Sequence, residues 1–279
     1  MDLPGIIESA EKQYKQILED FFISVYSEKN LSSHGIDHHR RVWSYSKELL
    51  KLSHLPNTAH SSKLASGLII ASYLHDIGMS VDQGPKHGKQ SKNLCVRFLT
   101  NNNFPRREYE DVLEAIENHD NKDYTYNPSK SELLRLLSVA DDLDAFGFTG
   151  IFRYSEIYLS RGVDPEKIGT RIRENAEKRF SNFVRNFGSD NGLCQKHTER
   201  YRILDDFFIK YNEQLPSYQF GTLNPSGFCG VIEFILILLN NKLQLKDIFP
   251  EPEKYSNDLV IKWFFSGFAS ELLAEHTLL

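Results

Sequence analysis

Apolar residues recur at helical spacing along almost the whole chain, and this periodicity leaves room for little but an all-α fold. Over 6–26 the repeating positions are Ile7, Tyr14, Leu18, Phe21, Phe22 and Val25. Over 38–52 they are Val42, Tyr45, Leu49 and Leu52. The segment 63–74 is apolar on several sides through Leu64, Ala65, Leu68, Ile69, Ile70, Ala71 and Leu74. Such a helix belongs inside a core. Further helices are expected over about 88–101, 106–119, 130–145, 149–160, 165–187, 195–214, 228–246 and 256–276. Pro105, Pro128 and Pro165 mark starts; Gly162, Gly188 and Pro216 mark stops; Gly78 suits a helix C-terminus. Only YQFGTL, 218–223, carries a strand signal.

The stretch 188–226 is the least regular. It divides the chain into a core over 1–187 and a helical extension over 188–279, unless the whole is one α domain with long loops. With 279 residues, either arrangement fits. A net charge of −5 gives no global basic field, so no nucleic-acid duplex is expected as a partner. Three cysteines without a CxxC pair argue against a disulfide framework and for a reducing, cytoplasmic location. The first residues, MDLPGIIESAEKQ, lack the basic and apolar regions of a signal peptide. The most apolar run, Gly227 to Leu239, carries Glu233 and is too short to span a bilayer. A buried helix is expected there, and no membrane partner.

Against this helical background a set of imidazoles and carboxylates falls at helix edges: His38, then His75-Asp76, then Asp141, with His87 and His119 between. Groups of this kind gathered from separate helices hold a divalent metal of borderline hardness. The dipeptide His-Asp alone carries no weight, since composition yields about 0.6 such pairs by chance. Context carries it. His38 opens a helix three residues before Arg41-Val42. His75-Asp76 closes the apolar helix, and neighbours that diverge by about 100° can share an ion only where a helix ends. Asp141, Asp142 and Asp144 crowd one helical stretch and need a cation or basic groups nearby. On a helix 141 and 144 lie near one face and 142 points away. Asp144 is a partner for Arg41 or a cap for a neighbouring helix. Leu68, Ile69, Leu74, Leu136 and Val139 are expected to be buried around the site.

At HxxRV (His38 to Val42), HDIG (His75 to Gly78) and ADDLDA (Ala140 to Ala145) the chain resembles the HD-domain superfamily of metal-dependent phosphohydrolases. Its likeness is greatest to bacterial stand-alone HD proteins that hydrolyse nucleotides, which carry a loop like PKHGKQS and a helix like RIRENAEKRFSNFVRNF. The resemblance covers roughly 30–187 and does not extend to residues 188–279. It implies an HD-domain helical bundle with a helical C-terminal extension. It also implies His38, His75, Asp76 and Asp141 as the metal ligands and catalytic set. Relatives often carry His-Asp ahead of the first ligand; here the pair reads His34-Gly35, which leaves His34 a supporting or substrate role without its usual partner.

A wider family variant, H…HD…H…H…D, holds two metals, and His87 and His119 match it in order. The alternative is that Lys86, His87 and Lys89 contact substrate phosphates while His119 orients water or a phosphate oxygen. A basic loop opposite a metal suits a polyanion. The ion is expected to be Mn, with Mg, Fe, Co, Ni and Zn as alternatives. The expected activity is hydrolysis of a phosphoester or phosphoanhydride in a small phosphorylated molecule, with nucleotides as the substrate class. A homo-oligomer is compatible with the sequence. Two other readings stay open: a nucleotide-binding regulatory module with little turnover, and a di-iron HD oxygenase. Phe146 and Phe148 are candidates to stack a base. His54, His60, His197 and His276 are read as exposed or capping.

Overall fold

The computed structural model describes residues 2–26, 32–53, 58–84, 86–121, 131–222, 224–241 and 257–276. Among them are eleven α-helices and no strand. The chain packs as two compact units. The first holds α1 (Leu3–Val25), α2 (Ile36–Leu52), α3 (Thr58–Leu74), α4 (His87–Asn101), α5 (Glu110–Asn118) and α6 (Glu132–Asp144). The second holds α7 (Gly147–Ser160), α8 (Pro165–Phe187), α9 (Asn191–Gln214), α10 (Gly227–Asn240) and α11 (Leu259–His276). Helix bounds lie within a few residues of those read from periodicity. Pro128, the far end of 228–246 and the first residue of 256–276 lie outside the described residues, as do His54 and the side chain of His276.

In the first unit α3 is the central element. From Leu64 to Leu74 every residue but Ser66 is buried, and the helix packs against α1, α2, α5 and α6. Leu68, Ile69, Leu74, Leu136 and Val139 are all fully buried, as their apolar spacing required. At Gly67 the Leu133 side chain of α6 packs directly on the α3 backbone, where a Cβ would stand 2.6 Å from Leu133 Cδ1. Helix α1 lies along α3 through Ile7, Tyr14, Leu18 and Phe22. Its N-terminus is capped by Asp2, whose Oδ1 accepts the amide of Gly5 at 3.2 Å. Glu19 ties three helices, accepting from Arg40 on α2 (2.7 Å) and from the Tyr73 hydroxyl on α3 (3.0 Å).

The division between units falls after Asp144, not near 187. The stretch at 188 is a tight helix–helix turn rather than a linker: Asp190 caps α9 by accepting the amide of Leu193 at 2.7 Å. Helices α8 and α9 therefore fold back on each other, and Ile168, Ile172, Leu204, Phe207, Phe208 and Tyr211 join one apolar core with α7, α10 and α11. Gly162, at φ 71°, ends α7 as expected. Gly78 does not end α3. It sits in a following 3-10 turn, Ile77–Ser80, with an ordinary φ, and its role is close packing.

The described residues of YQFGTL, 218–222, form no strand. Tyr218, Gly221 and Thr222 instead surround the Glu233 carboxylate, which accepts the amides of Gly221 (2.7 Å) and Thr222 (3.1 Å) and the Tyr218 hydroxyl. This is how a carboxylate is tolerated inside the apolar α10. Among the described residues no helix is long and apolar enough to cross a membrane. Phe146 and Phe148 are core residues of the second unit. Phe146 meets Phe180 and Tyr201 edge-on, and Phe148 meets Trp263 at 5.0 Å. His197, read as exposed or capping, is fully buried. Packing against Phe183 and beside Arg200 holds it neutral, because burial and then the guanidinium push its pKa well below the usual value. His60 follows its reading, half-exposed beside Glu132 at 3.1 Å.

Helix α7 opens at Gly147, φ 70°, with no capping side chain of its own. Glu271 of α11 supplies the cap: Oε2 accepts the Thr149 amide at 2.9 Å and Oε1 accepts Arg200 Nε at 2.6 Å, while Arg200 also donates to the Phe146 carbonyl at 3.1 Å. Glu271→Ala removes the cap and leaves a buried guanidinium without its carboxylate. A loss of roughly 3–5 kcal/mol is expected from urea unfolding, with a smaller loss for Glu271→Gln. An unchanged midpoint for the alanine variant would show that this pair does not hold the second unit.

Candidate metal centre

The site lies wholly in the first unit, where the start of α2, the end of α3 and the end of α6 meet. His38 stands in the first turn of α2. Its Nδ1 faces Asp144 Oδ2 at 2.7 Å, and Asp144 is clamped by both arms of Arg41, Nε to Oδ1 at 2.6 Å and Nη2 to Oδ2 at 3.0 Å. His75 is the last residue whose amide continues the α3 ladder, bonding to the Ala71 carbonyl at 2.8 Å. Its Nδ1 faces the Ser72 carbonyl at 3.0 Å. In both rings Nδ1 must carry the proton, since carboxylates and carbonyls only accept. When the rings are neutral, both Nε2 atoms are lone-pair donors, and they face each other at 3.1 Å.

Two further oxygens close on this pair. Asp76 Oδ2 lies 3.4 Å from His38 Nε2 and 3.5 Å from His75 Nε2. Asp141 Oδ1 lies 3.9 and 3.7 Å from the same two atoms. Adjacent His75 and Asp76 share one centre because α3 stops there and the chain turns into the 3-10 segment. Among the described residues, one ligand atom from each of His38, His75, Asp76 and Asp141 fits within 4.8 Å of the others, a group that can hold a metal ion. All four side chains are buried.

A second such group is Asp76, His87 and His119. His119 Nε2 lies 2.9 Å from Asp76 Oδ1, and its Nδ1 faces the Ile116 carbonyl at 2.7 Å. His87 Nε2 lies 3.3 Å from the same oxygen, and its Nδ1 faces the Gly84 carbonyl at 2.8 Å. Two glycines allow this. A Cβ on Gly78 would lie 2.2 Å from the His87 carbonyl oxygen, and one on Gly88 would lie 2.7 Å from the Glu117 carbonyl oxygen. Gly78 lets the turn after Asp76 rest on the start of α4, where its amide donates to Ser91 Oγ at 2.8 Å. Gly88 lets α4 rest on α5, beside His119.

His87 is thus the buried first residue of α4, not part of a surface loop. Lys86 and Lys89 flank it, exposed and, among the described residues, without a hydrogen bond or ion pair. His34 stands at the edge of the cluster with Nε2 3.9 Å from Asp76 Oδ2. Gly35, which replaces the usual acidic residue, is the N-cap of α2 and supplies no capping side chain. Asp142 is buried, like its neighbours on α6, but belongs to neither group.

Burial would raise the pKa of Asp76, yet the His75 charge and hydrogen bonds from His119, His38 and His87 hold it well below the carboxylate range. The converse holds for His75 and His87. Burial would lower both, but Asp76 outweighs it, and His87 is raised to about 9. His39 behaves oppositely. Fully buried and beside His38 and His75, it is held neutral, its Nδ1 3.1 Å from the same Ser72 carbonyl that orients His75. Sequence reasoning passed over His39, though its adjacency in DHHRRVW was the visible signal.

Four aspartates, 76, 141, 142 and 144, are buried here; Asp144 is paired with the buried Arg41, and Asp76 lies among imidazoles. The balance must come from protonated imidazoles or a cation. Residues 35–145 match the HD domain. This match ends where the first unit ends. No curated protein and no solved structure matches the chain. HD domains are generally metal-dependent hydrolases, and the buried His/Asp cluster is of the kind that binds a divalent metal.

The turn after Asp76 depends on Gly78. Gly78→Ala forces a backbone carbonyl away by more than side-chain adjustment allows, so an overpacking cost of about 1–3 kcal/mol is expected as a lowered melting temperature. Metal uptake should fall with it, as Asp76 and His87 separate. A variant as stable and as metal-competent as the parent would remove the close approach as a constraint.

Proposed function

We propose that the first unit holds one or two divalent metal ions at this cluster and hydrolyses a phosphoester or phosphoanhydride of a small molecule, with a nucleotide as the substrate class. The observation that carries the metal reading is the 3.1 Å approach of the His38 and His75 Nε2 atoms, both with Nδ1 already donating. Two lone pairs at that distance repel unless a proton or a cation lies between them. His38, His75, Asp76 and Asp141 would hold the first ion; Asp76, His87 and His119 would hold a second. The mixed nitrogen and oxygen donors suit Mn, with Mg, Fe, Co, Ni and Zn as competitors.

A bound divalent ion supplies Lewis acidity toward phosphoryl oxygens and lowers the pKa of a water toward neutrality. The protein's own part is orientation and charge. Asp144, held by Arg41, and the Ser72 carbonyl fix the tautomers of His38 and His75, so that Nε2 is presented bare. With one ion, His87, whose Nε2 lies 3.3 Å from Asp76 Oδ1, would in its protonated form give that proton to a departing phosphate. With two, it is a ligand. Lys86 and Lys89 are the cations beside it that a polyanion would meet.

A first ion must displace the proton that Asp76 favours on His75, and a second ion the one it favours on His87. Asp76 raises the pKa of both imidazoles, that of His87 to about 9, so Mn affinity at a site that uses them should increase as pH rises toward that value. Isothermal titration across that range checks the sign; affinity that falls with pH contradicts the ligand assignment. Elemental analysis separates one ion from two. If His87 and His119 are ligands, changing either removes about half the metal; if they are substrate contacts, metal stays and KM or kcat changes.

Release of phosphate or pyrophosphate from a panel of nucleotides with Mn, Mg, Co or Ni tests the reaction itself. His38→Ala or Asp141→Ala should abolish it, and the two losses should not add. Tight binding of a nucleotide without turnover would replace this reading with a regulatory module. Turnover that needs oxygen would replace it with an oxygenase.

A further inference from the structure

A cavity of about 370 Å³ opens in the first unit between α1, α3 and the start of α5. It lies toward the N-terminal half of α3. From Ser66 to His75 the helix axis advances roughly 13 Å, at 1.5 Å per residue, so the cavity is separate from the metal centre. Tyr14, Ser62, Ser66, Gly67, Tyr109 and Val112 line it, with Lys63, Asp111 and Glu108 at its rim.

Its polar groups are left with hydrogen bonds to make. Three helical hydroxyls elsewhere in this chain donate back to the carbonyl four residues earlier: Thr100 to Val96 at 2.9 Å, Ser155 to Ile151 at 2.7 Å, Ser270 to Ser266 at 2.9 Å. Ser62 and Ser66, one turn apart on α3, do neither this nor anything else; among the described residues their hydroxyls have no partner. Across the cavity the Tyr14 and Tyr109 hydroxyls bond to each other at 3.1 Å. One proton serves that bond, so the second phenolic proton remains to be donated. Three hydroxyls with donor capacity therefore face one space, beside an apolar wall of tyrosine rings and Val112.

The rim charge selects among ligands. Lys63 is paired with Asp111 at 3.2 Å, which leaves Glu108 as the unbalanced charge. A phosphorylated or carboxylated ligand would meet net repulsion. A cavity of this size lies at the small end of the roughly 300–1,000 Å³ range of ligand pockets. We propose that the cavity between Ser62, Ser66 and the Tyr14–Tyr109 hydroxyl pair is a second binding site, for an uncharged ring compound bearing several hydroxyls, such as a sugar or its uncharged derivatives.

The proposal is tested on the full chain with D-ribose, D-glucose, myo-inositol and adenosine as probes, and ribose 5-phosphate as the charged control. Binding is followed by chemical shifts of labelled tyrosine rings. At least one uncharged probe should shift Tyr14 and Tyr109 in a saturable way, with the phosphate about tenfold weaker or silent. Ser62→Ala with Ser66→Ala should weaken that probe by about tenfold or more, because its hydroxyls lose their acceptors and donors. The same variant should melt no lower than the parent: alanine favours the helix, and no protein hydrogen bond is lost. Tyr109→Phe gives an independent loss of affinity. Metal content should stay unchanged throughout, so failure here leaves the metal centre untouched. No saturable shift with any uncharged probe, binding that survives the double alanine change, or preference for the phosphate would each overturn the proposal. A double variant that melts markedly lower would assign the serines to structure instead.

Discussion

The Asp76 carboxylate is the point on which the first unit turns. Imidazoles of His34, His38, His75, His87 and His119 approach its two oxygens, between 2.9 and 3.9 Å. They come from the segment before α2, from α2, from the end of α3, from the start of α4 and from the end of α5. A buried carboxylate is costly unless surrounded by donors or cations. Here the surrounding groups also tie five parts of the chain to one atom pair. Function and folding therefore draw on the same interaction, and a metal ion at this point would stabilise the unit as well as serve chemistry.

What holds that carboxylate in place is backbone geometry rather than polar contact. Helix α3 is apolar on nearly every side and fixed by α1, α2, α5 and α6, so its end is a rigid position. The 3-10 turn that follows can lie against α4 only because residue 78 has no side chain, and α4 against α5 only because residue 88 has none. On the other side, two helices are matched in register. His38 and Arg41 on α2 face Asp141 and Asp144 on α6, each pair three residues apart. One member of each pair reaches the centre and the other orients its partner, so a shift of one residue in either helix would lose both.

The second unit shows the same physics put to structural ends. Its charged side chains, Glu271 with Arg200 and Glu233 with the amides of Gly221 and Thr222, satisfy helix ends and loop backbone. Glu233 in particular makes sense of a carboxylate within the most apolar helix of the chain. The aromatic residues that follow Asp144 complete this core, which is why their density in the sequence signalled packing and not recognition of a base.

Helices, their order and their buried faces were legible in the sequence because each is written locally, in a 3.6-residue period and in caps such as Asp2, Asp164 and Asp190. The candidate ligands were legible too, since His38, His75-Asp76 and Asp141 fall where helices begin or end. Other features depended on which helix met which, and no local pattern encodes that. The unit boundary after Asp144 rests on α8 finding its partner in α9. The burial of His197 rests on Phe183 and Arg200. The turning of His87 and His119 onto Asp76 rests on two glycines whose absent side chains matter only once α4 and α5 are in contact. Periodicity determined that each helix would have an inner face; long-range packing alone decided what that face would meet.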